Sequence, residues 1–243
     1  TKQTHLEYYV EQNIPSDYHW VATDTNLPTL GLNSEALNRV HWVEVFDNKI
    51  ISAGVVDENN CAICAAETRI IWSDDGLNWN KSAYNFNSAD DVKNIIALSY
   101  NGTNYIAVGQ TINNEAIFYS STDLSNWTQR ATWEAIGKNK IGIAWGNNQF
   151  VAVGITDSGT GYSKILTSAD GITWAATSGA FDWSNNYFAI SELDRRYDLK
   201  DVAFGHGKFI AVGENGVIVE STDGKKWTAL SWRDVYSSIP EEW

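Results

Sequence analysis

Several aromatic residues stand outside the repeated positions of the chain, among them Tyr84, Trp133, Trp183, Tyr187 and Trp232. A flat ring can cover the apolar C–H face of a sugar while nearby Asp or Asn groups bond its hydroxyls. With Asp157 and Asp194 these rings form the candidate ligand-binding set. The simpler alternative is that they plug gaps between packed sheets. Cys61 and Cys64 are the only cysteines. Zinc would need two more soft ligands, and His5, His19, His41 and His206 are scattered without metal spacing. A redox Cys-x-x-Cys opens a helix after a strand, which this pair does not. A disulfide clipping one loop is therefore expected, with no metal and no cofactor. Glu44, Asp57, Glu58, Asp194 and Asp198 could be cast as hydrolytic carboxylates. No spacing singles out a pair among them, so no catalytic residue is assigned.

A repeat must position these residues. Ser-x-Asp-x-x-x-Trp occurs four times, at Ser73–Trp79, Ser121–Trp127, Ser168–Trp174 and Ser221–Trp227. Asp-Gly is a turn signal, because Gly accepts a positive φ and Asp bonds its own backbone. The β-branched residues ahead of each Ser predict strand, turn, strand, with Trp opening the second strand. Upstream of each turn lies another apolar strand: Ile51–Gly54, Ile106–Gly109, Val151–Gly154 and Ile210–Gly213. A shorter strand ending in Phe46, Tyr100, Trp145 or Phe204 precedes it, followed by a polar turn. Each unit is a meander of four strands, A to D.

Such units predict an all-β chain, a β-propeller of four-stranded antiparallel blades. Trp20 opens a stretch similar to those at Trp174 and Trp227, and Arg233–Tyr236 resembles Lys200–Ala203. Five Trp markers (Trp20, Trp79, Trp127, Trp174, Trp227) in 243 residues give about 49 residues per blade. The expectation is one domain, residues 1–243, with five blades and a ring closed by pairing of the N- and C-terminal strands. The repeat residues Asp75, Asp123, Asp170 and Asp223 and their Trp partners are expected to be structural fasteners. The A–B and C–D turns should share one face. The longer B–C and D–A loops should share the other, which makes it the candidate binding face.

The Ser-x-Asp-Gly-x-x-Trp turns resemble the Asp-box repeats of sialidase-like propellers. Over about residues 39–230 the chain is closer to bacterial propellers related to photosystem II assembly factors, in which Ala-Val-Gly strands alternate with such turns. The usual Asp box has one more residue between Asp and Gly. Blade count and size are also similar to the five-bladed lectin tachylectin-2, although its sugar-binding residues have no match here. These resemblances imply an architecture and leave function open. A sialidase would need an arginine triad, and the adjacent pair Arg195-Arg196 does not supply one.

Composition narrows the partners. A net charge of −13 repels phosphate backbones and anionic lipid, so nucleic acid is not expected as a partner. No apolar run is long enough to span a membrane. The first residue is Thr1 and there is no Met, which leads to the expectation of a processed form. Together with the acidity, this favours a location outside the cell or on its surface. The leading expectation is a carbohydrate-binding module, lectin- or adhesin-like, that is not an enzyme. A protein-interaction scaffold or assembly factor is the alternative, and a glycoside hydrolase is third. The partner is accordingly a glycan or a protein.

Overall fold

The computed structural model describes residues 37–56, 67–86, 90–133, 141–156, 163–177, 181–182 and 199–230. These residues build four antiparallel sheets in chain order. The first is β1 (Leu37–Phe46), β2 (Lys49–Val56), β3 (Glu67–Ser73) and β4 (Trp79–Lys81). The second is β5 (Val92–Tyr100), β6 (Tyr105–Thr111), β7 (Ala116–Ser121) and β8 (Thr128–Trp133). The third is β9 (Gly142–Gly146), β10 (Gln149–Thr156), β11 (Ser163–Ser168) and β12 (Ala175–Ala176). After the short β13 (Phe181–Asp182), the fourth follows as β14 (Leu199–Gly205), β15 (Lys208–Gly213), β16 (Ile218–Ser221) and β17 (Trp227–Ala229). Each sheet runs in simple meander order, and β13 adds a parallel edge strand beside β17.

The chemistry of the connections explains the meander. Asp47-Asn48, Asn147-Asn148 and His206-Gly207 all have positive φ at both residues and link strands paired at Phe46–Lys49, Gly146–Gln149 and Gly205–Lys208. Those are two-residue hairpins of the primed type, which Asn, Asp and Gly tolerate best. In the second sheet the Asn101 side chain instead accepts the Thr103 and Asn104 N–H groups at 2.9 and 2.7 Å.

Alternation along each B strand gives every sheet two distinct faces. Ile51 and Ala53 pack toward the second sheet, where Tyr105, Ala107 and Leu98 meet them. Ile106 and Val108 pack toward Phe150, Ala152 and Ile143 of the third sheet. Val151 and Val153 pack toward Phe209, Ala211 and Val202 of the fourth. Three apolar layers thus join four sheets in series, in the manner of propeller blades.

The series ends in two bare apolar faces. Val43 pairs with Ser52 just as Leu98, Ile143 and Val202 pair with Ala107, Ala152 and Ala211. Those three are 4%, 8% and 6% exposed, whereas Val43 is 63% exposed. At the other end Val212 is 42% exposed, and its counterparts Ala53, Val108 and Val153 are 2%, 0% and 0%. The described residues therefore hold four sheets where five blades were expected. Trp20, the N-terminal strands and Arg233–Tyr236, on which the fifth blade and the ring closure rest, lie outside them.

Candidate functional site

The Ser–Asp turns are the most regular polar constellation. The hydroxyls of Ser73, Ser121, Ser168 and Ser221 donate to the carboxylates of Asp75, Asp123, Asp170 and Asp223 at 3.0–3.1 Å. Each carboxylate also accepts two backbone N–H groups, those of Leu77 and Asn78, Ser125 and Asn126, Ile172 and Thr173, or Lys225 and Lys226. These bonds favour the charged form and hold all four carboxyls below the usual aspartate range, with backbone donors the largest cause in each. The repeat Trp closes the turn by donating its ring N–H to the carbonyl of Gly76, Leu124, Gly171 or Gly224. With their acceptor sites used inside the turn, these Asp residues act as fasteners.

The second, third and fourth turns also seat on the preceding sheet. A Cβ on Gly224 would come within 2.6 Å of Val151, and one on Gly171 would strike Ile106. The second turn departs from the pattern, because Leu124 stands where the other turns have Gly. It takes φ 63° and is fully buried in the cluster that holds Ile51. Gly146 brings β9 against the Phe204 ring on the neighbouring inner strand.

Of the sequence-predicted binding residues, the structure describes two, and both pack between sheets. The Tyr84 hydroxyl donates to Asp90 at 2.7 Å, and Tyr119 donates to the same oxygen at 2.9 Å. The Tyr84 ring lies edge-on to Phe86, 5.0 Å between centroids. Burial and then Asp90 push the Tyr84 phenol up to about 12. Trp133 is half-buried and pairs with Ala116 against the second apolar layer. Trp183, Tyr187, Trp232, Asp157, Asp194, Cys61 and Cys64 lie outside the described residues.

A second candidate site lies on the inner strands, and of the residues singled out in the sequence it includes Glu44 alone. The first strands of all four sheets, β1, β5, β9 and β14, converge on one cavity of about 580 Å³. Cavities of about 300–1,000 Å³ hold small ligands. One rung explains the opening. Immediately before the residues paired with Ser52, Ala107, Ala152 and Ala211 stand Trp42, Ala97, Gly142 and Asp201. The two small residues leave room, and the other two supply a ring and a carboxylate. Gly142 is required there, because a Cβ would come within 2.6 Å of Asp201.

Glu44, Asn94 and Lys200 add polar groups to the wall, and Ile96, Ile141 and Ile143 add apolar surface. The Trp42 ring N–H donates to the Ile95 carbonyl at 2.9 Å, which fixes the ring across the first two sheets. Burial, and then the charge of Asp201, raise the Glu44 carboxyl above its ordinary value. The Lys200 ammonium sits 2.8 Å from Glu214. The lining residues stand at the start of β9 and β14, in the middle of β5 and in the second half of β1. Among the described residues no helix is long and apolar enough to cross a membrane.

No family model and no curated protein matches the chain. Solved structures similar to it are β-propeller proteins. An Aleuria aurantia lectin variant in complex with α-methyl-L-fucoside is 11% identical, with 78% of this chain and 60% of that one covered at a TM-score of 0.47. YCF48 from Cyanidioschyzon merolae is 16% identical, with 82% and 58% covered at 0.46. A glycosyl hydrolase from Bacteroides ovatus is 10% identical, with 77% and 68% covered at 0.43.

Proposed function

We propose that the chain is a carbohydrate-binding propeller, lectin- or adhesin-like, acting outside the cell or on its surface. The observation that carries this reading is the axial cavity, whose wall combines a fixed indole ring, two carboxylates, an amide and the Lys200 ammonium with apolar side chains. That combination suits a sugar, whose C–H face stacks on the ring while its hydroxyls donate to Glu44 and Asp201 and bond Asn94. Trp183, Tyr187, Trp232, Asp157 and Asp194, from the D–A and B–C loops expected to share one face, belong to the same reading as further proposed contacts. Tyr84 and Trp133 support the sheets beneath them.

The architecture belonging to this reading has five blades, with residues 5–24 and Arg233–Tyr236 sharing the fifth and closing the ring. The exposed Val43 and Val212 support it, because one blade between them would cover both faces. The Ser–Asp turn geometry supports kinship with Asp-box propellers.

A glycan array followed by calorimetry with the captured sugar tests the function. Binding that is lost in Trp42→Ala, with the unfolding midpoint checked, is the expected result. No sugar bound at millimolar concentration would overturn it. Capture of a protein instead, sensitive to Trp183→Ala, would transfer the reading to an interaction scaffold.

A further inference from the structure

Beyond carbohydrate binding as such, we infer that the axial cavity selects a sugar bearing a free primary ammonium over a neutral one. The inference rests on the carbohydrate reading and adds the chemical class of the ligand. Glu44 comes from β1 and Asp201 from β14, the first and last described sheets, yet both carboxylates line one cavity. They are close enough for the charge of Asp201 to disfavour ionisation of Glu44. Two like charges facing one cavity repel each other, and a cation entering between them relieves that repulsion.

Lys200 is the cation already in the wall. Its ammonium lies 2.8 Å from Glu214. Among the described residues no third His, Cys, Asp or Glu joins the pair into a metal-holding group. An ammonium needs no such coordination shell, because its three N–H donors match carboxylate acceptors one by one. The Trp42 ring adds a face suited both to C–H groups and to a nearby positive charge. A hexosamine with an unmodified amine combines the three features in one small molecule: cation, hydroxyl donors and an apolar ring face. Its N-acetylated form keeps the ring and hydroxyls and loses the charge.

The test is calorimetry at neutral pH with glucosamine, glucose, N-acetylglucosamine and Nα-acetyl-lysine amide. Glucosamine should bind about tenfold tighter than either neutral sugar, and raised salt should shrink that ratio. Glu44→Gln and Asp201→Asn keep an acceptor oxygen at each position, so both should fold, with an unfolding midpoint no lower than that of the wild type. Each should cut the glucosamine advantage several-fold, read as the ratio of glucosamine to glucose affinity, so that a loss common to both sugars cancels. Equal affinity for glucosamine and the neutral sugars would overturn this inference while leaving carbohydrate binding standing. So would a ratio untouched by Glu44→Gln. Failure of all three sugars would overturn both. Lysine amide binding as tightly as glucosamine would reassign the ammonium to a peptide side chain and overturn the choice of an amino sugar.

Discussion

Replacing Val212 by Asp discriminates sharply between an open series of four sheets and a closed ring. With 42% of its surface exposed, Val212 would tolerate Asp at a cost within about 0.5 kcal/mol if nothing further covered it, as surface positions usually do. If a fifth blade seats on it as Phe209 and Ala211 seat on Val153, the substitution removes a buried valine, about 1.5–3 kcal/mol. It also places an unpaired carboxylate between sheets. The expected loss is then at least about 3 kcal/mol, a fall in Tm of about 6–12 °C for a domain of this length. Val43→Asp should behave alike at the opposite end, and Val153→Asp, at a fully buried position, sets the scale. Urea titration of the full chain with a matched wild type reads the difference. A loss below about 0.5 kcal/mol for both Val43→Asp and Val212→Asp, beside a large loss for Val153→Asp, would refute the ring.

The four turn carboxylates are all held below their ordinary pKa, so the stability they contribute is full above the unfolded value near ~3.9 and drains as pH falls below it. Acid unfolding followed by tryptophan fluorescence should start in that range, and Asp170→Asn should flatten its slope; an unchanged slope would contradict the fastener role. Glu44 has the opposite sign, since its raised carboxyl weakens the fold as pH rises through the window between its unfolded and folded values. Leu124→Gly relieves a left-handed backbone worth about 1–2 kcal/mol but empties a fully buried site worth about 2–5 kcal/mol, so chemical denaturation should show net destabilisation. Asp90→Ala leaves the Tyr84 and Tyr119 hydroxyls without their shared acceptor, and a loss of about 2–4 kcal/mol in the same assay is expected.

Much of the scaffold was legible because its signals are local. A Ser, an Asp two residues on and a Trp four further on define a turn whose bonds all close within seven positions, so the spacing alone carried the geometry. The polar pairs Asp47-Asn48 and Asn147-Asn148 announced hairpins for the same reason. The axial cavity was harder to see. Trp42, Asn94 and Asp201 come from three separate repeats, and each sits in a strand of ordinary alternation. A signal did exist: laid out by strand pairing, one rung reads Trp, Ala, Gly, Asp, two large side chains among two small ones. In the sequence Glu44 is one carboxylate among many, because Asp201, whose charge acts on it, is in the last repeat. Tyr84 showed the converse. Its ring lay in the expected segment, but the Asp90 that occupies its hydroxyl is six residues away in a stretch without periodicity.

The two bare faces at Val43 and Val212 are complementary rather than alike: one is the surface a sheet offers forward, the other the surface it receives on. A contact of that kind between separate molecules is head-to-tail and has no two-fold axis. A chain trimmed to residues 37–230 would therefore assemble, if it folds, by stacking its fourth sheet on the first sheet of the next copy. Such growth ends only if the accumulated rotation completes a circle, and otherwise runs on as a fibre. The same polarity that orders the sheets within one molecule thus makes the integrity of its ends a matter of solubility.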